Sequence, residues 1–225
     1  MAKANYFYGI PPSNKKNKKT KAVINLTSDS DSDSDNDDDN DTKSQSKIRK
    51  SYNHIYFYSE VDRGSVYTLT ELIRSAEKEN LFISTNYNIE PPPIYLHISS
   101  FGGSVFDAFT CIDIIMSCKV DIYTIIDGAT ASAGTLISVV GKKRYIRPSG
   151  YMLIHQLSSG FWGKMQEIED DFQNNKKLMK KIRNIYKKHT KIPKEKLNDI
   201  LKHDLWWESD ICKEYSLIDE IWNQS

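Results

Sequence analysis

Cysteine is scarce: the 225 residues hold three, Cys111, Cys118 and Cys212, with no Cys-x-x-Cys pair. An odd, sparse set excludes a disulfide scaffold and suits a reducing compartment. An excess of one charge is also missing. The chain has 31 Lys+Arg against 30 Asp+Glu, a formal net charge of +1, which argues against a nucleic-acid-binding footprint over the whole protein. No apolar run approaches the roughly 18–20 residues of a membrane span, and the first residues lack the apolar segment of a secretory signal. The stretch before Thr27 is free of acids, yet it carries Lys without Arg and no amphipathic pattern, so an organelle transit peptide fits poorly. The expectation is a soluble cytoplasmic protein with no membrane and no nucleic-acid partner; host cytoplasm, for a viral chain, and organelle import are the weaker alternatives.

What is present is unevenly spread. The hydrophobic fraction is 39%, below the roughly 45–50% usual for globular chains, because the N-terminus dilutes it. Residues 1–50 hold 10 Lys/Arg and 8 Asp, and all eight acids lie between Asp29 and Asp41. A Lys/Asn stretch follows Pro11 and Pro12, and an Asp/Ser tract runs from Ser28 to Asp41. Such a segment buries too little apolar surface to offset its ordering entropy, so residues 1–50 are expected to be a disordered, low-complexity tail and residues 51–225 a single domain. Inside the tail, Val23-Ile24-Asn25-Leu26-Thr27 is a β-prone run followed directly by Ser/Asp. It resembles the motif that binds small ubiquitin-like modifiers by adding a strand to a sheet edge. The plainer alternative is a solvated tail.

In the remainder, strand and helix patterns alternate. His54–Tyr58, Ile94–Ile98, Val120–Ile126, Arg144–Ile146 and Tyr151–Ile154 read as strands. Ser65–Glu79 and Val105–Cys118 read as helices, as does a segment from the Gly128–Gly134 turn to near Gly141. A long polar amphipathic helix is expected over Met165–His189, with further helices over Pro193–Lys202 and Ser209–Glu214. Asn80–Pro93, closed by three prolines, reads as a loop. The alternation predicts an α/β fold, and there is no internal sequence repeat.

Four places carry chemistry. Gly102-Gly103 follows an apolar strand, where bare backbone lets N–H groups approach a ligand; an ordinary strand-to-helix turn would look similar. Ser132 sits where a small-residue turn becomes a helix, near free N–H groups that suit a developing oxyanion; a plain N-cap serine is the alternative. The Gly-x-Ser-x-Gly elbow pattern is absent, since the nearest upstream glycine is Gly128. His155 ends a strand, a position suited to a general base. Asp204 precedes Leu205-Trp206-Trp207, where desolvation by the rings could turn it toward an imidazole. His97 reads as a packed strand residue, and His54, His189 and His203 have no metal-site spacing.

Together these residues give a nucleophile, a base and an orienting acid in the order Ser, His, Asp. Ser-Ser-Phe-Gly-Gly-Ser-Val, Gly-Ala-Thr-Ala-Ser-Ala-Gly, Met-Leu-Ile-His-Gln and His-Asp-Leu-Trp resemble the successive motifs of the Clp protease proteolytic subunit family, ClpP, over roughly residues 52–223. The separations from Gly103 to Ser132 and from His155 to Asp204, 29 and 49 residues, match as well. Ser132 to His155, at 23, is slightly short, with the loss near Gly141. The resemblance implies the ClpP/crotonase-like α/β fold of repeated ββα units with a protruding handle helix. It implies Ser132 as nucleophile, His155 as base, Asp204 as acid, and the N–H groups of Gly103 and Ala133 as oxyanion hole. It implies an endopeptidase of unfolded proteins, heptameric rings stacked in pairs through Met165–His189, and a Clp-type AAA+ unfoldase as partner. No metal or cofactor is expected. The chain has no Gly-x-x-x-x-Gly-Lys-Ser/Thr, so ATP use belongs to that partner.

Phe101 and Leu157 stand where the family usually has Pro, and Ser158 and Ser159 replace family glycines, which bears on the groove rather than on the triad. The alternatives are a non-catalytic ring subunit acting in assembly or tail-mediated docking, an acyl-CoA enzyme on the same fold, and a capsid-maturation or signal-peptide protease.

Overall fold

The computed structural model describes residues 48–223. The 23–27 motif and the tail before residue 48 lie outside them. The strands are β1 (Ile48–Ser51), β2 (His54–Phe57), β3 (Ile94–Ser100), β4 (Ile122–Ala131), β5 (Lys143–Ile146), β6 (Tyr151–Leu153), β7 (Trp206–Glu208) and β8 (Glu220–Ile221). The helices are α1 (Arg63–Tyr87), α2 (Val105–Ser117), α3 (Ala133–Ser138), α4 (Met165–His189), α5 (Lys194–Ile200) and α6 (Ser209–Glu214). The expected α/β fold is what forms.

The sheet runs β1-β2-β3-β4-β5-β8, with β6 paired to β4 and β7 to β6. The pairs β2–β3, β3–β4, β4–β5 and β4–β6 are parallel, and β1–β2 and β6–β7 antiparallel. Side chains alternate between faces along a strand. Ile55 and Phe57 of β2 are fully buried, whereas His54 and Tyr56 on the alternate face are only partly covered. Helix α1 turns Val66, Leu69, Ile73 and Ala76, spaced at helical period, into the core.

β4 is the element that makes the site possible. It pairs with β5 through Tyr123–Ile126, and with β6 through Ala129–Ala131. Between the two stretches its register against β3 shifts, from Ile98↔Ile126 to Ser100↔Thr130. Gly128, at φ 71°, absorbs the irregularity, as glycine does at bulges. The Thr130 hydroxyl donates to the Ile98 carbonyl across it, at 3.1 Å. The segment from Gly128 to Ala131, which reads as a turn, is therefore strand.

Three other departures have local causes. Helix α1 runs to Tyr87, past the expected stop at Glu79, because buried Asn80 donates from its side chain to the Pro92 carbonyl, at 2.8 Å. The helix then ends on Asn88, at φ 52° and ψ 48°, a left-handed cap. The folded part begins before residue 51: Ile48 is buried and β1 pairs with β2. Residues 48–50 thus belong to the sheet rather than to the tail. Strands β7 and β8 went unread because each is too short for period-two alternation to show.

Candidate active site

Ser132 lies where β4 passes into α3, with φ 52° and ψ −124°, a region a side-chain-bearing residue occupies at a cost of order 1–3 kcal/mol. The Gly-x-Ser-x-Gly pattern is absent, yet the sharp strand-to-helix turn of such an elbow is present. As the residue preceding a helix, Ser132 makes no side-chain capping hydrogen bond, which removes the plain N-cap explanation. Its carbonyl accepts from both the Thr135 N–H, at 3.0 Å, and the Thr135 hydroxyl, at 2.6 Å. The Thr135 hydroxyl also meets the Tyr186 hydroxyl of α4, at 2.6 Å. Since Thr135 has committed its one proton to Ser132, Tyr186 is the donor. Burial pushes the Tyr186 phenol well above its ordinary value. Neither Thr135 nor Tyr186 was singled out from the sequence; the one available signal was a Thr three residues after the candidate nucleophile.

Gly102 and Gly103 explain themselves by close approach. Gly102 has φ 100°, and a Cβ there would lie 2.6 Å from the Ser132 Cβ and 3.0 Å from the Ala133 nitrogen. Gly103 has φ 141° and is bridged to Val61, where an added Cβ would overlap the Val61 carbonyl. Val61 donates to the Gly102 carbonyl and accepts from Ser104 N–H, both at 2.7 Å. The glycine turn is thus stapled from below while its other side rests on Ser132. Among the described residues, neither the Gly103 N–H nor the Ala133 N–H finds a backbone acceptor. Ala133 opens α3, where first-turn N–H groups are free.

Strand register brings the other two residues in. Ala131 pairs with Leu153, and Ser132 N–H donates to the Leu153 carbonyl at 3.0 Å. Ser132 and His155 therefore leave the same edge of two adjacent parallel strands, which lie roughly 4.8 Å apart. On the other side of β6, Leu153 opposes Trp206. Continuing that antiparallel register by two residues sets His155 against Asp204, and His155 Nδ1 lies 3.2 Å from Asp204 Oδ1. Gln156 N–H, bonded to the Leu201 carbonyl at 2.8 Å, fixes the approach of that loop. No hydrogen bond joins the Ser132 hydroxyl to the His155 ring in this conformation; the link between them runs through backbone. Asp204 is also not desolvated by its tryptophans. Its side chain is 76% exposed, because Trp207 turns into the core and Trp206 stays half-open beside it.

A family profile described as Clp protease matches residues 47–225. The chain belongs to the Clp protease family. A solved structure of a ClpP1 point mutant from Listeria monocytogenes superposes with a TM-score of 0.66 at 22% identity, covering 77% of this chain and 92% of the other. At that identity the likeness speaks for the ClpP fold alone. Clp proteases are serine peptidases, and the motifs that place this chain among them fall on the elements just described.

A second polar group occupies the sheet face opposite α1. His97, which reads as a packed residue, is buried. Its Nδ1 meets Asp127 Oδ2 at 2.8 Å and its Nε2 meets His54 Nδ1 at 2.9 Å. Tyr58 and Arg147 also donate to Asp127, at 2.6 and 3.0 Å. Burial pushes the Asp127 carboxyl up, but the bonds from His97 and Tyr58 and the nearby Arg147 outweigh it and hold the group below its ordinary value. Burial, then the neighbouring His97 and Arg147, lowers His54. Among the described residues, no cluster of His, Cys, Asp or Glu could hold a metal ion, and no helix is long and apolar enough to cross a membrane.

Proposed function

We propose that the chain is a Clp-type serine endopeptidase subunit that cleaves unfolded protein substrates. Ser132 attacks the peptide carbonyl, His155 takes its proton and returns it to the leaving amine, and Asp204 fixes the imidazole tautomer. The Gly103 and Ala133 N–H groups receive the oxyanion, each such donor being worth about 3–4 kcal/mol in systems of this kind. An acyl-enzyme on Ser132 is then released by water. The observation that carries the reading is the register that opposes His155 to Asp204 at 3.2 Å while strained Ser132 follows directly on the end of the neighbouring strand. Ser132→Ala abolishes labelling by a fluorophosphonate probe; a variant that still labels removes Ser132 as the nucleophile.

The open contact between Ser132 and His155 also favours a second reading, a ring subunit that assembles without catalysis. Catalytic hydrogen bonds are often loose in unliganded enzymes and tighten in the substrate complex, so the peptidase reading absorbs this geometry. Peptide hydrolysis by the purified chain, lost in Ser132→Ala, decides between the two.

The assembly belongs to the same proposal: heptameric rings, stacked in pairs through α4 and served by an AAA+ unfoldase that spends the ATP. Helix α4 supports it, since it fully buries just Ile182 and Tyr186, packs Leu178, Met179 and Ile185 partly against the core, and leaves Met165 and Phe172 exposed. The native mass of the particle reads out the ring number. For the 23–27 motif, chemical-shift changes in a peptide of residues 20–40 on adding a small ubiquitin-like modifier would support docking, and unchanged spectra would dismiss it.

A further inference from the structure

Phe101, just past the end of β3, and Trp206, the first residue of β7, are far apart in the chain, yet their rings meet edge to face, with centroids 6.2 Å apart and planes at 87°. Both remain partly open to solvent, at 58% and 42%. Each is anchored beside one half of the candidate machinery. Phe101 adjoins Gly102, whose α-carbon leaves no room for a methyl group against Ser132. Trp206 stands opposite Leu153, whose carbonyl accepts the Ser132 N–H. Strand alternation then puts the Trp206 side chain on the face that carries Asp204 and His155.

Something other than charge has to hold Asp204 in place. Its carboxylate is mostly in water, and an exposed ion pair restrains a side chain weakly. An edge-to-face aromatic pair adds attraction beyond the area it buries, and this one spans the gap between the two loops.

We propose that Phe101 and Trp206 are positioning residues: their contact ties the glycine turn that carries the Gly103 oxyanion donor to the loop that carries Asp204, so the two halves of the site keep one spacing. The proposal rests on the peptidase reading for its catalytic consequence. The physical tie itself can be measured without turnover.

The test compares full-length wild type with Phe101→Ala, Trp206→Ala, the double variant and Trp206→Phe, by hydrogen–deuterium exchange and by peptide hydrolysis. Phe101→Ala speeds amide exchange in residues 202–206, and Trp206→Ala speeds it in residues 102–104, although neither substitution lies in the segment it loosens. Each single variant lowers kcat by up to about tenfold, as loss of one aromatic pair allows, with KM nearly constant. Trp206→Phe restores kcat, and the double variant is no worse than the weaker single, because one contact is lost in all three. Exchange changes confined to the mutated segment overturn the tie. So does a rise in KM at constant kcat, which would make the rings a substrate contact, or single effects that multiply in the double variant. Phe101 lies on an exposed turn, so Phe101→Ala decides the matter even if Trp206→Ala does not fold. A wild type that neither hydrolyses peptide nor takes the fluorophosphonate defeats the peptidase reading, and the exchange result still decides the tie.

Discussion

At Gly102 a single missing carbon atom sets the geometry of the site. The backbone there has φ 100°, and a Cβ would lie 2.6 Å from that of Ser132. Gly102→Ala must therefore strain its own backbone and push the Ser132 turn aside. We expect a loss of about 1–3 kcal/mol in chemical denaturation and a fall in turnover beyond what that loss explains; wild-type stability and activity in this variant would contradict the account. Sequence pattern alone suggested why two glycines should stand after an apolar strand, namely close approach. It could not say what they approach, since Val61 and Ser132 meet the turn only through tertiary packing. Ser132 is the converse case, with the strained turn present and its usual sequence signature absent.

Among the elements, legibility followed length and periodicity. The limits of α4 and α6 were readable residue for residue, since α4 carries a long amphipathic pattern and α6 is short but sharply bounded. The far end of α1 was not, because Asn80, where the sequence reads as a loop, is held inside by a tertiary contact that helical periodicity does not report: its bond to the Pro92 carbonyl. The convergence of His155 and Asp204 was legible only by resemblance. Its physical basis, the β6–β7 ladder, involves strands of three residues each. Helix α4 reaches the site region through the Tyr186 hydroxyl on Thr135 and through the Met179 sulfur, which accepts the Leu157 N–H at 3.1 Å. Tyr186→Phe keeps the buried ring and removes the bond to Thr135, so unfolding should cost about 1 kcal/mol less. Thermal or denaturant midpoints check this, and an unchanged midpoint would mean the hydroxyl is not engaged.

For the whole molecule, the shifted groups dictate how stability depends on pH. His54 and His189 are both held below the ordinary imidazole value of 6.5, first by burial. Above that value both are neutral, folded or unfolded, and their contribution is complete. As pH falls below it, the unfolded chain takes up protons more readily than the folded one, and stability declines. Asp127 and Asp219 are held below the ordinary 3.8 by their partners despite burial, so their contribution is lost only as pH drops through that lower window. The melting temperature should therefore fall in two stages on acidification. His54→Gln should flatten the first stage and leave the second, and superimposable curves for the variant and wild type would refute the assignment.

The carboxylate of Asp204 faces bulk water across most of its surface. Dissolved ions reach it as easily as the imidazole does, and at 0.15 M ionic strength the screening length is only about 8 Å. The attraction between Asp204 and His155 thus fades with added salt. It strengthens wherever a surface covers the carboxylate and shuts the electrolyte out.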